Sequence, residues 1–312
     1  MLIILGPTAV GKSKLAVELA KNIKGEIISA DSMQVYRGMD IGTAKPPLEE
    51  RQGIPHHLID IRDPDEEWTV SDFVEQTNRI SGELVTRGKT PIIVGGTGLY
   101  LWALLKGFSF PITPADKELR SRLEKEQLAT LYSRLSIVDP KAAAKIHEND
   151  KKRIIRALEV YELTGKPISE LQQSVAEVFR PPLNGDLKVA STYKSRHSAC
   201  ALIGLDLPRD ELYSHINQRV DGMIKKGLID EVKGLLAKGF AKNLPSFQAL
   251  GYKEVVDYLD GKWSKEEMIK ELKKRTRHFA RRQMTWFRRF ENIKWFEAPV
   301  DSRAILDYIN KV

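Results

Sequence analysis

Cysteine is nearly missing from this sequence: Cys200 is the single one in 312 residues. One thiol makes neither an internal disulfide nor a multi-cysteine zinc centre, which fits a reducing compartment, and a cytoplasmic location is expected. Long apolar runs are missing as well. The most apolar window, residues 91–105, is broken by Gly95, Gly96 and Gly98 and falls short of the ~20 residues that a bilayer demands, so no membrane partner is expected. The N-terminus, Met1-Leu-Ile-Ile-Leu-Gly6, has no basic stretch before its apolar run; it reads as a buried first strand and not as a secretion signal. Internal repeats and low-complexity tracts are lacking, and no obligate protein partner is evident. Acid is missing from one place in particular. Between Lys273 and Arg289 there are eight basic residues and no Asp or Glu, while the chain as a whole has 50 Lys+Arg against 42 Asp+Glu. The entire net charge of +8 therefore lies in that segment.

What is present describes a folded protein with a sizeable core: 42% hydrophobic and 29% charged residues, which excludes disorder and collagen-like chains. Over the first hundred residues, strand and helix patterns alternate. Residues 2–5 form an apolar run, 13–23 place Leu15, Ala16, Leu19 and Ile23 on one helical face, and 26–29 form a second strand. A Pro- and Gly-rich stretch over 37–64 leads to an amphipathic segment, 70–87, and to a third strand, 91–94, with Pro91 at its first position. Such alternation predicts an α/β fold, a parallel sheet with helices on both faces. From 113 to about 171 the pattern is helical and charged, a loop with Pro181, Pro182 and Gly185 follows, and an apolar strand resumes over 199–207. The expected organisation is a core of residues 1–112 and 199–312 with a mainly helical insertion of 113–198. The core would end in a long basic helix over 265–290 and a last strand over 293–296.

Gly6-Pro7-Thr8-Ala9-Val10-Gly11-Lys12-Ser13 matches the phosphate-binding loop G-x-x-x-x-G-K-[ST], with an apolar strand before it and an amphipathic helix after it. Backbone N–H groups and the helix N-terminus cradle an anion there, Lys12 adds a point charge, and Ser13 can hold Mg2+. A di- or triphosphate is the expected ligand. Asp31 ends the second strand and points toward the same crevice, as a metal ligand, a base or simply a turn cap. Thr97, in Gly95-Gly96-Thr97-Gly98, closes the third strand in the same way, as a site residue or a capping threonine. His56-His57 could suggest a metal, but adjacent residues seldom face one ion. Arg219 lies on a polar helical stretch where solvation is the ordinary state. On the basic helix Met268, Leu272, Phe279, Gln283, Trp286 and Phe290 fall near heptad spacing, which predicts a docked face with the cations turned outward toward an anionic partner.

Several longer motifs carry a resemblance. Besides the phosphate loop, they are Asp31-Ser-Met-Gln-Val-Tyr-Arg-Gly-Met-Asp-Ile-Gly-Thr-Ala-Lys-Pro46, Pro55-His-His-Leu-Ile-Asp60, Gly95-Gly-Thr-Gly-Leu-Tyr100, Asn149-Asp-Lys-Lys-Arg-Ile-Ile-Arg-Ala-Leu-Glu-Val160, Gln248-Ala-Leu-Gly-Tyr-Lys253 and Arg281-Arg-Gln-Met-Thr-Trp-Phe-Arg288. Together they cover nearly the whole chain, which resembles the bacterial tRNA dimethylallyltransferases, or isopentenyltransferases. That resemblance implies a phosphate-loop core that moves a dimethylallyl group from dimethylallyl diphosphate to N6 of the adenosine 3′ of the anticodon, in tRNAs reading codons that begin with U, with Mg2+ assisting. It reassigns the loop from nucleotide to allylic diphosphate. It implies Asp31 as base, with Thr97 and Arg219 also catalytic. The implied tRNA contacts are Asp31, Ser32, Met33, Gln34 and Thr97; Arg120; Lys152, Arg153, Ile154, Ile155 and Arg156 of the insertion, which would grip the anticodon stem-loop; Gln248, Ala249, Leu250, Gly251, Tyr252 and Lys253; and Arg281, Arg282 and Arg288. The eukaryotic branch has a C-terminal zinc finger, which a chain with one cysteine lacks. A small-molecule phosphoryl-transfer kinase, an isopentenyltransferase acting on free adenylate, and a non-catalytic RNA-binding protein are the competing readings.

Overall fold

Parallel strands buried on both faces read as near-continuous apolar runs, and the four inner strands of this sheet are mostly apolar while the two edge strands are not. In the computed structural model, which describes residues 1–106, 116–171 and 200–311, the strands are Leu2–Leu5 (β1), Gly25–Ala30 (β2), His56–His57 (β3), Thr90–Gly95 (β4), Ala201–Asp206 (β5) and Lys294–Glu297 (β6). They form a single sheet in the order β3-β2-β4-β1-β5-β6, parallel at every pairing. β1 sits between β4 and β5, with Leu2 opposite both Ile92 and Ala201. Leu2, Ile4, Ile27, Ile92 and Ile203 make one core with Leu15 and Leu19 of Lys12–Asn22 (α1) and with Leu212 and Ile216 of a later helix. The α/β class expected from the alternating pattern is the class observed.

Two elements differ from expectation inside residues 37–64: a one-turn helix Leu48–Arg51 (α2) and the two-residue β3. Neither is long enough to show a period; β3 exists because the chain is extended there, with the Ile27 N–H donating to Pro55 O at 3.0 Å. Pro91 is the second residue of β4 and not the first. It is tolerated because the β1–β4 pairing starts only at Ile92, leaving Pro91 opposite Glu26 alone.

Val70–Thr86 (α3) is closed by a capping box between Thr69 and Asp72, and Gly98–Lys106 (α4) follows β4. Contacts divide the chain into two compact units, Met1–Leu104 with Ser195–Val312, and Leu105–Lys194. The described part of the second unit contains Lys117–Glu124 (α5), Leu128–Val138 (α6), Pro140–Ala143 (α7) and Lys151–Thr164 (α8). They pack around Leu119, Leu123, Leu131, Leu135, Ile154, Ile155 and Leu158. The loop expected around Pro181, Pro182 and Gly185 lies outside the described residues. After β5 come Arg209–Lys225 (α9), Leu228–Ala237 (α10), Tyr252–Leu259 (α11), Lys265–Phe287 (α12) and, past β6, Ser302–Ile309 (α13). Among the described residues no helix is long and apolar enough to cross a membrane.

The basic helix α12 starts at a Ser264–Glu267 capping box and ends at Phe287, three residues before the expected end. Its buried stripe is Met268, Leu272, Thr276, Ala280, Gln283 and Phe287. Phe279, Trp286 and Phe290, expected on that stripe from heptad spacing, are only half-buried. A straight helix repeats every 3.6 residues, so a heptad template drifts off its packed face.

In the helical unit, the fully buried carboxylate of Glu159 accepts from Arg120 at 2.8 and 3.0 Å, from Arg156 at 2.6 Å and from the Asp116 N–H at 2.9 Å. Burial by itself would raise its pKa, but these bonds outweigh it and hold the carboxyl below its ordinary 4.5. A depressed folded pKa adds stability above the ordinary value that is lost as pH falls through the folded one. Glu159→Gln should lower the stability of residues 116–171 by about 2 kcal/mol at pH 7, Arg120 and Arg156 being partly screened by solvent. In hydrogen exchange followed from pH 7 down through the folded pKa of Glu159, which lies below 4.5, the wild type should lose this increment and the variant should not; parallel curves would refute the assignment.

Candidate active site

The strand order places the chemistry. Ligands of an open parallel sheet gather at the carboxyl ends of its strands, and the order β2-β4-β1 sets Asp31, the Gly96-Thr97 turn and the phosphate loop side by side. At ~4.8 Å between neighbouring strands, the first and last of these are about 10 Å apart. Gly6 begins the loop with φ 153°, where an added Cβ would stand 2.5 Å from Leu205 O. The loop therefore lies directly on β5, and no side chain fits at this position.

Lys12 Nζ donates to Gly6 O at 2.9 Å and to Pro7 O at 2.7 Å. Burial, and then the Arg219 charge, push its pKa down to about 7, with Asp31 opposing them. Arg219 comes from α9; burial lowers its pKa too, and Asp31 again opposes. No ion pair holds Arg219 among the described residues. Two inward cations with one nearby carboxylate are short of negative charge, which is the electrostatics of a polyanion site. A cavity of about 510 Å³ beside them is lined by Gly11, Lys12, Ser13, His215, Gln218 and Arg219.

Arg219 also lines a second cavity of about 550 Å³, together with Thr8, Asp31 and Thr97. Its remaining walls include the apolar side chains of Met33, Val220, Met223, Leu250 and Phe279. Asp31 combines two of the roles left open by the sequence. Its Oδ1 caps the following turn, accepting from the N–H groups of Met33 at 2.8 Å and Gln34 at 3.3 Å, while Oδ2 has no hydrogen-bond partner among the described residues. Thr97 likewise accepts from the Ser32 N–H at 3.2 Å and keeps its own proton for another acceptor.

Magnesium can be tested against the donor set. Among the described residues no group of three His, Cys, Asp or Glu could hold a metal ion. Ser13, exposed on the first turn of α1, has a hydroxyl without a hydrogen bond among the described residues. One hydroxyl suits an ion that keeps its waters and is carried mainly by substrate phosphates, so these residues fit Mg2+ in that form. His56-His57 is structural: His57 Nε2 bonds Glu26 Oε2 at 2.8 Å, and His56 Nδ1 bonds Ile54 O at 2.8 Å.

Other expected contact residues separate into two groups. Gln248, Ala249, Leu250 and Lys253 line the second cavity with Met33 and Ser32, whereas Gln34 turns inward to Ser29 at 2.9 Å. Tyr252 is buried, its hydroxyl donating to Glu231 at 2.6 Å, and Gly251 is buried beside it. In the helical unit Lys152 and Arg153 are exposed, but Ile154 and Ile155 are core side chains. That burial corrects their expected place on an RNA-facing surface; the helical period turns 152, 153 and 156 outward and the two isoleucines inward.

Three of the eight cations of the basic segment are already neutralised. Lys273 pairs with Asp221 at 2.7 Å, Lys274 with Glu271 at 3.3 Å, and Arg275 with Glu254 and Glu271 at 2.9 Å each. Arg281, Arg282, Arg288 and Arg289 are exposed and without ion pairs among the described residues; Arg282 lies over Phe279 and Arg289 over Trp286. Sequence reasoning missed the roles of Met223 and Phe279 in the cavity wall and that of Gln283. Its side chain accepts from the Thr8 N–H at 2.8 Å and donates to Gly96 O at 2.9 Å. A lone amide on the apolar stripe of a helix was the available signal. Glu231 was missed as well; its carboxylate collects the N–H groups of Asp40, Ile41 and Gly42 and so fixes a turn within the motif that begins at Asp31.

With this geometry established, comparison with known proteins is informative. Residues 34–290 match the family model described as IPP transferase. A tRNA dimethylallyltransferase of Heliobacterium modesticaldum is 49% identical, over 98% of this chain and 92% of that protein. The tRNA isopentenylpyrophosphate transferase of Bacillus halodurans, a solved structure, is similar with a TM-score of 0.70 and 45% identity, covering 99% of this chain and 94% of that one. A eukaryotic dimethylallyltransferase solved in the act of modifying tRNA is similar with a TM-score of 0.80 and 30% identity, over 100% of this chain and 79% of that one. The chain, with its phosphate loop and its strand-end carboxylate, belongs to the IPP transferase family.

Proposed function

We propose that this enzyme transfers a dimethylallyl group from dimethylallyl diphosphate to N6 of the adenosine 3′ of the anticodon, in tRNAs reading codons that begin with U, in the cytoplasm. The observation that carries this reading is the pair of adjoining cavities sharing Arg219. One is cationic and suited to diphosphate; the other sets apolar side chains (Met33, Val220, Met223, Leu250 and Phe279) among polar ones, with Asp31 and Thr97 in its wall.

In the reaction the bond between the allylic carbon and the diphosphate oxygen breaks, and its electron pair leaves with diphosphate. Lys12, Arg219 and the loop N–H groups oppose the charge that grows there, in a site where their own desolvation makes the attraction strong. Mg2+, when bound through Ser13 and the phosphates, would supply further neutralisation of the leaving group. The N6 amine forms the new bond to carbon and gives up one proton, for which the unengaged Oδ2 of Asp31 is the acceptor. Thr97 is placed to hydrogen-bond the base. An adenine stacked in an anticodon loop reaches this cavity only by flipping out, at a cost of a few kcal/mol that phosphate contacts elsewhere offset. Arg281, Arg282, Arg288 and Arg289, with Arg120, Lys152, Arg153 and Arg156 of the helical unit, are the cations for those contacts. This use of the basic helix separates the reading from a small-molecule kinase.

Labelled dimethylallyl diphosphate with magnesium should label an anticodon stem-loop RNA and leave AMP unlabelled; label in AMP alone would make the enzyme an adenylate isopentenyltransferase. Asp31→Asn, which keeps the turn cap, should lower kcat by about 100-fold or more with stem-loop binding unchanged, and near-normal turnover would remove Asp31 as base. Neutralising Arg281, Arg282, Arg288 and Arg289 together should reduce the slope of log affinity against log salt by up to about 3 for tRNA, with diphosphate binding nearly intact; an unchanged slope would place the RNA elsewhere. Because Lys12 titrates at about 7 without an anion beside it, diphosphate should raise that value and take up a proton on binding. Affinity should then fall as pH rises above 7, by at most about tenfold per unit. Calorimetry in buffers of different ionisation heat checks this, and no buffer dependence at pH 8 would contradict it.

A further inference from the structure

Gln283 is a polar side chain in a stripe that otherwise docks α12 on its own protein, and it is 5% exposed. A methionine would fill the same space without asking for partners, and a buried amide is costly unless both its ends are bonded. Here both are. The acceptor end takes the Thr8 N–H at 2.8 Å, and the donor end reaches Gly96 O at 2.9 Å. An N–H can only donate and a carbonyl can only accept, so the amide has one orientation. Space has been cleared for it: an added Cβ on Gly96 would stand 2.2 Å from Gln283 Nε2, and one on Gly98 would stand 2.5 Å from Trp286 Cβ.

The two groups so joined belong to different halves of the reaction. Thr8 lies in the loop for the leaving group, and its hydroxyl faces the larger cavity without a hydrogen bond among the described residues. Gly96 immediately precedes Thr97, which shares that cavity with Asp31. We propose that Gln283 is a positioning residue whose amide sets the spacing between the diphosphate loop at Thr8 and the turn that carries Thr97. Leaving group and attacking amine are thereby kept in line for displacement. Gln283 touches neither substrate; it acts through the backbone of both sides, and it does so from the helix whose outer face bears Arg281 and Arg282. Errors of about 1 Å between reacting groups cost on the order of 100-fold in rate, which is the scale of effect that such a strut controls. The inference rests on the transfer reaction proposed above.

The test uses the full chain with dimethylallyl diphosphate, magnesium and a stem-loop RNA. Gln283→Met should lower kcat by about 30-fold or more, while KM for the RNA and the affinity for inorganic diphosphate stay within about threefold of wild type. Gln283→Glu adds a signature that simple packing would not give. As a carboxylate it accepts from Thr8 but repels Gly96 O; protonated, it reproduces both bonds. Its kcat relative to wild type should therefore climb as pH is lowered. A Gln283→Met enzyme with kcat within threefold of an active wild type overturns the proposal alone. So does a loss of turnover matched by equal losses of RNA and diphosphate binding, with Gln283→Glu following the wild-type pH profile. Should Gln283→Met fail to fold, the Gln283→Glu profile decides. A wild type that transfers no dimethylallyl group overturns the functional reading and this one with it.

Discussion

Two half-buried cations, Lys12 and Arg219, lie near enough to feel each other's charge, with the carboxylate of Asp31 nearby, and much of this unit answers to that shortage of negative charge. Burial makes each charge expensive, enough to bring the lysine to about 7. The proposed diphosphate would meet groups that gain from its arrival instead of groups already paired with acid. The sheet supplies the rigidity that keeps them in place: β1 holds the loop, β5 leads into the helix of Arg219, and the strands from β1 to Asp31 are buried at every residue but Thr90. Asp31 is near enough to moderate both cations yet uses one oxygen to cap its own turn, so its second oxygen stays available for a proton.

The helix α12 divides its labour by face. Its buried side fastens the phosphate loop to the end of β4 through Gln283. Its first turns are neutralised by Asp221, Glu254 and Glu271, so the +8 that composition places in one segment reduces, as an exposed field, to the arginines near the helix C-terminus. Two of these lie over aromatic rings, which fixes their guanidinium planes and leaves their N–H edges for phosphate. On the proposed reading, substrate recognition and loop geometry share one rod.

Legibility in the sequence followed the range of the interaction involved. The phosphate loop, Asp31 and Thr97 could be read because each depends on a local rule, the turn at the end of a parallel strand. The helical unit could be read because its apolar positions repeat. Arg219 could not, since nothing near it in the chain distinguishes an arginine facing a crevice from one facing water; the difference is made by α9 lying against the phosphate loop. The acids that neutralise Lys273 and Arg275 come mainly from other helices, and Gln283 finds its partners 275 and 187 residues away. β3 escaped notice because two residues carry no period, and the stripe of α12 was misplaced because a template of 3.5 residues per turn was laid on a straight helix. Ile154 and Ile155 show the reverse error, a contiguous motif read as one surface where the helix splits it between surface and core.

That separation of 275 residues between Thr8 and Gln283 also has a meaning in time. A ribosome adding roughly 5–20 residues each second delivers the phosphate loop first and the amide that fastens it some 14–55 s later. β1 likewise waits for β5 before its second edge is covered. The nascent chain therefore passes through a long interval in which the phosphate-loop sequence exists without the amide that fastens it. On the proposed reading the centre becomes competent only as α12 docks, so premature termination before that helix yields a product that lacks the required spacing altogether.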